Sequence, residues 1–160
     1  MKLLSIVLSV IAALLIALIA VFLIGGSLGA EVSMEALPGT QDLLGFAAAL
    51  ESVELETASA VYAPLDSLEA ADYTVSDVTV TFKNNGFLDA EWLTFDFVPG
   101  AGEVALCTQS AAKLDVAAHG EAKLALKLLS RAEASGAGRA LDVEYYVLGM
   151  RRTMTVPLDG

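Results

Sequence analysis

Ala122-Lys123-Leu124-Ala125-Leu126-Lys127-Leu128-Leu129 decides the fold. Leu124, Leu126 and Leu128 recur at every second position, with Lys123 and Lys127 between them. That period of two belongs to a strand with one face buried and one in water. The same alternation returns at 139–148, where Leu141, Val143, Tyr145 and Val147 oppose Asp142, Glu144 and Tyr146. Gly149-Met150 then turns the chain into a last strand at 152–158.

Upstream, 91–98 places Leu93, Phe95 and Phe97 opposite Trp92, Thr94 and Asp96, and 103–109 is a shorter strand. In 73–83, Val78, Val80 and Phe82 alternate with threonines, while Tyr73 and Val75 have the other parity. The switch predicts a bulge near Ser76-Asp77. Asn84-Asn85-Gly86 between apolar runs predicts a hairpin. Residues 52–57 read as a further strand, Val53 and Leu55 facing away from Glu54 and Glu56. About seven short strands at this spacing predict an all-β chain, an antiparallel immunoglobulin- or fibronectin-like sandwich.

Residues 3–24 form an apolar run broken only by Ser5 and Ser9. As a helix its 22 residues extend about 33 Å, enough to cross a bilayer. Lys2 precedes the run while Glu31 and Glu35 follow it. The positive-inside bias therefore puts the N-terminus in the cytoplasm and the domain outside. Residues 1–24 are thus expected to be a transmembrane signal anchor. The run exceeds the about 7–15 apolar residues usual in a cleaved signal peptide, the competing reading, for which Ser27 and Gly29 supply small residues. Gly25, Gly26, Ser27, Gly29 and Pro38-Gly39 mark 25–39 as a linker. A domain at 40–160 follows, opened by a short helix over 41–50 that Thr40 caps.

The run Val78-Thr79-Val80-Thr81-Phe82-Lys83-Asn84-Asn85-Gly86-Phe87 is followed by Trp92-Leu93-Thr94-Phe95. Asp115-Val116-Ala117-Ala118-His119-Gly120 then precedes an alternating strand. Over about residues 50–158 this pattern resembles the LEA-2 (WHy) domain of late-embryogenesis-abundant-like proteins. The resemblance implies an immunoglobulin- or fibronectin-like topology with no catalytic residues. It also implies, as in some members, a place behind one N-terminal membrane helix. Asn84-Asn85-Gly86 departs from the Asn-Pro-Asn turn usual in that family.

The net charge of −11 is unevenly spread. Between Glu31 and Glu103 stand 14 acids and one base, Lys83, whereas 6 acids and 7 bases follow. Such a chain is repelled by phosphate backbones and anionic headgroups, so nucleic acid is excluded as a partner. Glu54, Glu56, Asp66, Glu69 and Asp72 make a candidate acidic face for a protein partner. No closely spaced acidic loop with glycine indicates calcium, so neither metal nor cofactor is expected.

His119, the lone histidine, sits in a turn, and no GxSxG, HExxH, Walker or GxGxxG pattern occurs. An enzyme is not expected. Cys107 is alone, which excludes an internal disulfide and suits a small buried side chain. Trp92 reads by default as a core residue, although its parity opposes Leu93. These observations describe a membrane-tethered, extracytoplasmic interaction or structural module. A binding module for a small ligand, glycan or lipid is the alternative. A surface filament subunit is a further one, without the type IV pilin processing site.

Overall fold

A computed structural model describes residues 2–24, 28–134 and 136–158. Helix α1 spans Lys2–Ile24 and α2 spans Leu43–Glu54. Nine strands lie among the described residues: β1 Leu28–Pro38, β2 Ala60–Val61, β3 Tyr73–Asn84, β4 Ala90–Val98, β5 Glu103–Gln109, β6 Lys113–Val116, β7 Glu121–Arg131, β8 Ala140–Val147 and β9 Met150–Pro157. They form an antiparallel β-sandwich of two sheets, ordered β1-β3-β7-β5-β2 and β6-β4-β8-β9.

Between the sheets, Val78, Val80 and Phe82 of β3 and Leu124, Leu126 and Leu128 of β7 meet Leu93, Phe97, Leu141, Val143 and Val147. A second core lies on the other side of the larger sheet. There Phe46 and Ala49 of α2 cover Tyr73, Val75, Ala105, Cys107 and Leu129. This corrects the bulge expected at Ser76-Asp77. β3 pairs without a register shift with both β1 and β7. Its parity changes because its first half is buried under α2 and its second half under the opposite sheet. Leu129, out of step with Leu128, faces α2 for the same reason.

Asp42, not Thr40, caps helix α2; its carboxylate accepts from the Gly45 N–H at 2.9 Å. The helix runs on through Glu54, so the strand expected at 52–57 does not exist. Phe46, Ala49, Leu50 and Val53 are spaced three or four apart and supply its packed face, which outweighs two turns of alternation.

The linker expected at 25–39 is corrected too. Leu28–Pro38 is an edge strand, paired with β3 from Leu28↔Asn84 to Pro38↔Thr74. Leu28, Ala30 and Met34 rest on the core. The sandwich therefore begins at residue 28, and only 25–27 separate it from α1; these three lie outside the described residues, as do Ser135 and 159–160. A fragment of residues 28–158 is expected to unfold cooperatively, at a higher urea midpoint than one starting at residue 40. Equal midpoints would mean that β1 adds nothing.

Asn84-Asn85-Gly86 is no hairpin, since β3 and β4 belong to different sheets. Buried Asn84 holds the crossover instead. Its Nδ2 donates to the Leu88 and Val116 carbonyls at 2.8 and 3.0 Å, and its Oδ1 accepts from the Gly86 N–H at 2.9 Å.

The side chains of α1 are described over 5–20, and those of 5–19 are exposed on every side. Among the described residues no helix is long and apolar enough to cross a membrane.

Candidate functional site

The outer face of the smaller sheet carries the side chains that parity turns away from the core. These are Trp92, Thr94 and Asp96 on β4, Glu144 and Tyr146 on β8, and Arg151, Thr153 and Thr155 on β9. Thr94 lies opposite Glu144, and Asp96 opposite Asp142. With Arg151, Thr153 and Thr155 they line an open depression of about 440 Å³. Two carboxylates facing each other across a strand pair repel. Thr155 eases this by donating its hydroxyl to Asp142 Oδ1 at 2.6 Å.

Glu144 is better satisfied. The Tyr146 hydroxyl donates to it at 2.9 Å, and Arg151 Nη2 lies 2.6 Å from its other oxygen. The Tyr146 hydrogen bond and then Arg151 hold its carboxyl below the usual range, while donation to Glu144 pushes the Tyr146 phenol up. A carboxyl with a lowered folded value adds stability above its unfolded value and loses it as pH falls through the lowered one.

Trp92 stands at one end of this face, 57% exposed, which corrects the default of core packing. The pairing of β4 with both neighbours shifts between residue 91 or 90 and the 93–94 positions, and Trp92 has φ +55°. A bulky residue in that region is uncommon and costs about 1–3 kcal/mol. The Asp115 carboxylate fixes the bulge by accepting from the Trp92 N–H at 2.7 Å. The indole meets Tyr146 edge-on, centroids 5.8 Å apart, and the Lys113 ammonium lies 5.7 Å from its centroid. An exposed ring flanked by a phenol and a cation, beside a polar depression, can hold a flat apolar group and hydrogen-bond its rim.

The acids expected to form one face are spread along the chain. Glu54 ends α2 and Glu56 follows it with φ +55°, ahead of β2. Asp66, Glu69 and Asp72 lie after β2, where Asp66 and Asp72 share a depression with Arg131 and Glu133. Asp66 is paired with Arg131. Lys127 and Asp77 are 2.9 Å apart, and Lys83 and Glu31 2.6 Å. The antiparallel pairing of β7 with β3 is what sets Lys127 beside Asp77. Among the described residues no three His, Cys, Asp or Glu side chains gather as a metal site.

His119 is exposed at φ +58°, its ring edge-on to Phe87 at 5.0 Å. Cys107 is buried, and burial pushes its thiol up. Lys113 and Arg151 were not singled out by the sequence; only the strand register brings them beside Trp92 and Glu144. No protein-family model matches the chain, and no curated protein matches it.

Proposed function

We propose that the chain is a membrane-tethered, non-enzymatic interaction or structural module whose sandwich works outside the cytoplasm. The observation that carries this reading is an apolar helix, exposed around its whole girth, that ends four residues before the first strand. In water that exposure is heavily unfavourable, whereas in hydrocarbon it costs nothing. The apolar run of residues 3–24 would measure about 33 Å as a helix, close to a bilayer's thickness. Lys2 before it and Glu31 and Glu35 after it favour an extracytoplasmic domain.

The topology supports an immunoglobulin- or LEA-2-like module. β1-β3-β7-β5 opposed to β4-β8-β9 follows the order ABED against CFG of an immunoglobulin constant-type sandwich, with β2 and β6 added at edges. A second reading, a binding module for a small ligand, glycan or lipid, is favoured by Trp92 with Tyr146 and Lys113 beside the polar depression. A protein partner would meet this same face more readily than a continuous acidic one.

Membranes from expressing cells test the tether. The full chain is expected to stay in the pellet after alkaline carbonate washing. Protease added to sealed right-side-out membranes should remove everything beyond α1. Release by carbonate, or full protection from protease, contradicts the reading.

A further inference from the structure

We infer that the sandwich stands end-on on the lipid surface, with the exposed tips Phe87 and Leu148 sunk into the headgroup boundary. The inference rests on the tether proposed above and adds what the domain touches once tethered. Leu28 opens β1 and pairs with Asn84, the last residue of β3. The loop from Asn84 to Ala90, the β6–β7 turn and the β8–β9 turn therefore share the end of the sandwich where α1 is attached. Four peptide steps join Ile24 to Leu28, a reach of at most about 14 Å. A helix in the bilayer keeps that end close to the lipid.

That end is apolar where it projects. Phe87 is 67% exposed and Leu148 61%, and they line one depression with Leu88, Asp89 and Glu91. Leu148 and Gly149 both have positive φ, at +51° and +74°. Such a two-residue hairpin turn favours Asn-Gly, and a leucine in its first position gains nothing from the fold. A large apolar side chain held there against local preference is explained by something outside the fold that it contacts. Phe87 likewise projects from the loop, touching the His119 ring edge-on.

Asp89 and Glu91 flank the tips, and the chain carries −11 overall, so the surface it fits is zwitterionic lipid entered by apolar side chains. Leu43 and Leu44, also strongly exposed, begin α2, just after β1 ends at Pro38. They lie about 35 Å away along the eleven-residue strand and cannot reach the same surface.

Trp92, the only tryptophan, lies two residues into β4 from this end and reports its depth. The full chain is reconstituted in phosphatidylcholine vesicles with acyl chains brominated near the headgroup. Co-flotation reads the tether, and quenching of Trp92 reads the docking. Wild type should float and be quenched, with no change as salt rises. Phe87→Ser with Leu148→Asn should float but lose the quenching, whereas Leu44→Ser should keep it. Leu148→Asn supplies the residue the turn prefers, so lipid contact should fall while the thermal midpoint holds or rises.

A chain that does not float overturns the tether. One that floats with Trp92 unquenched, or with quenching that survives Phe87→Ser and Leu148→Asn, overturns the end-on contact alone. Quenching lost only in Leu44→Ser would place the opposite end on the lipid and refute the proposal.

Discussion

Arg139→Ala is expected to destabilise the sandwich by about 3–5 kcal/mol, because it strands a buried carboxylate. Arg139 is 5% exposed and Glu103 4%, and the guanidinium Nη2 donates to Glu103 Oε1. Arg139 Nη1 also donates to Met34 Sδ at 3.2 Å, so the pair ties the starts of β5 and β8 to β1. The loops around it are tight: a Cβ on Gly100 would come within 2.5 Å of the Gly136 carbonyl oxygen. Among the described residues, Glu103 Oε2 and Arg139 Nε are buried without a hydrogen-bond partner.

An ion pair so incompletely satisfied contributes little net stability, yet breaking it costs a great deal. Burial pushes the Glu103 carboxyl up against the opposing pull of Arg139. An acid with a raised folded value gives its full stability below its unfolded value and loses it as pH rises through the folded one. The penalty of Arg139→Ala should therefore be larger at pH 7 than at pH 4. Glu103→Met combined with Arg139→Met should recover most of the loss, and urea unfolding of residues 28–158 measures all three. A double variant as unstable as Arg139→Ala, or a single one within about 0.5 kcal/mol of wild type, would sink the argument.

The strands legible in the sequence are those with a buried face. β4, β8 and β7 up to Leu128 follow the expected alternation because each sets one face against the inter-sheet core. β1 was hidden although Ala30, Val32, Met34 and Ala36 alternate with Glu31, Ser33 and Glu35, because the glycines before it and Pro38-Gly39 after it read as linker; as an edge strand it has no fully buried residue. β2 and β6, at two and four residues, are too short to carry a period. Residues 52–57 misled because so short an alternation as Val53-Glu54-Leu55-Glu56 satisfies strand and helix alike, and packing against Tyr73 and Val75 chose the helix. The Asn-Gly signal named a turn correctly and its partner wrongly. A turn residue cannot say whether the chain returns along the same sheet or crosses to the other.

For the site, parity alone turned Trp92 and Tyr146 outward, and the default of a core tryptophan gave way to it. The meeting of Trp92 with Lys113 depends on the bulge of β4 and the register of β6, which no local pattern encodes. Part of the acidic half of the chain is paired off for the converse reason. Antiparallel pairing of β3 with β7 sets Asp77 against Lys127, while Arg131 at the end of β7 reaches Asp66, so an asymmetry along the sequence becomes pairing in space.

Leu129→Ala is expected to cost about 2–5 kcal/mol, as much as Leu126→Ala three positions earlier on the same strand. Both side chains are buried, at 0% and 2% exposure, but on opposite faces of the larger sheet. In a plain two-layer sandwich the outer face meets water, and truncation there changes stability by less than about 0.5 kcal/mol. Here α2 covers that face, and Leu129 shares its pocket with Phe46, Ala49, Tyr73 and Val75. Phe46 also stacks on Tyr73, their centroids 5.7 Å apart. The two cores should therefore respond separately. Phe46→Ala combined with Leu126→Ala should be additive within about 0.5 kcal/mol, since the sheet divides them. Combined with Leu129→Ala it should not be, because the first truncation loosens the cavity that the second enlarges. Urea midpoints of the singles and doubles decide the matter. A cheap Leu129→Ala beside a costly Leu126→Ala would remove α2 from the sheet and leave the outer face to solvent.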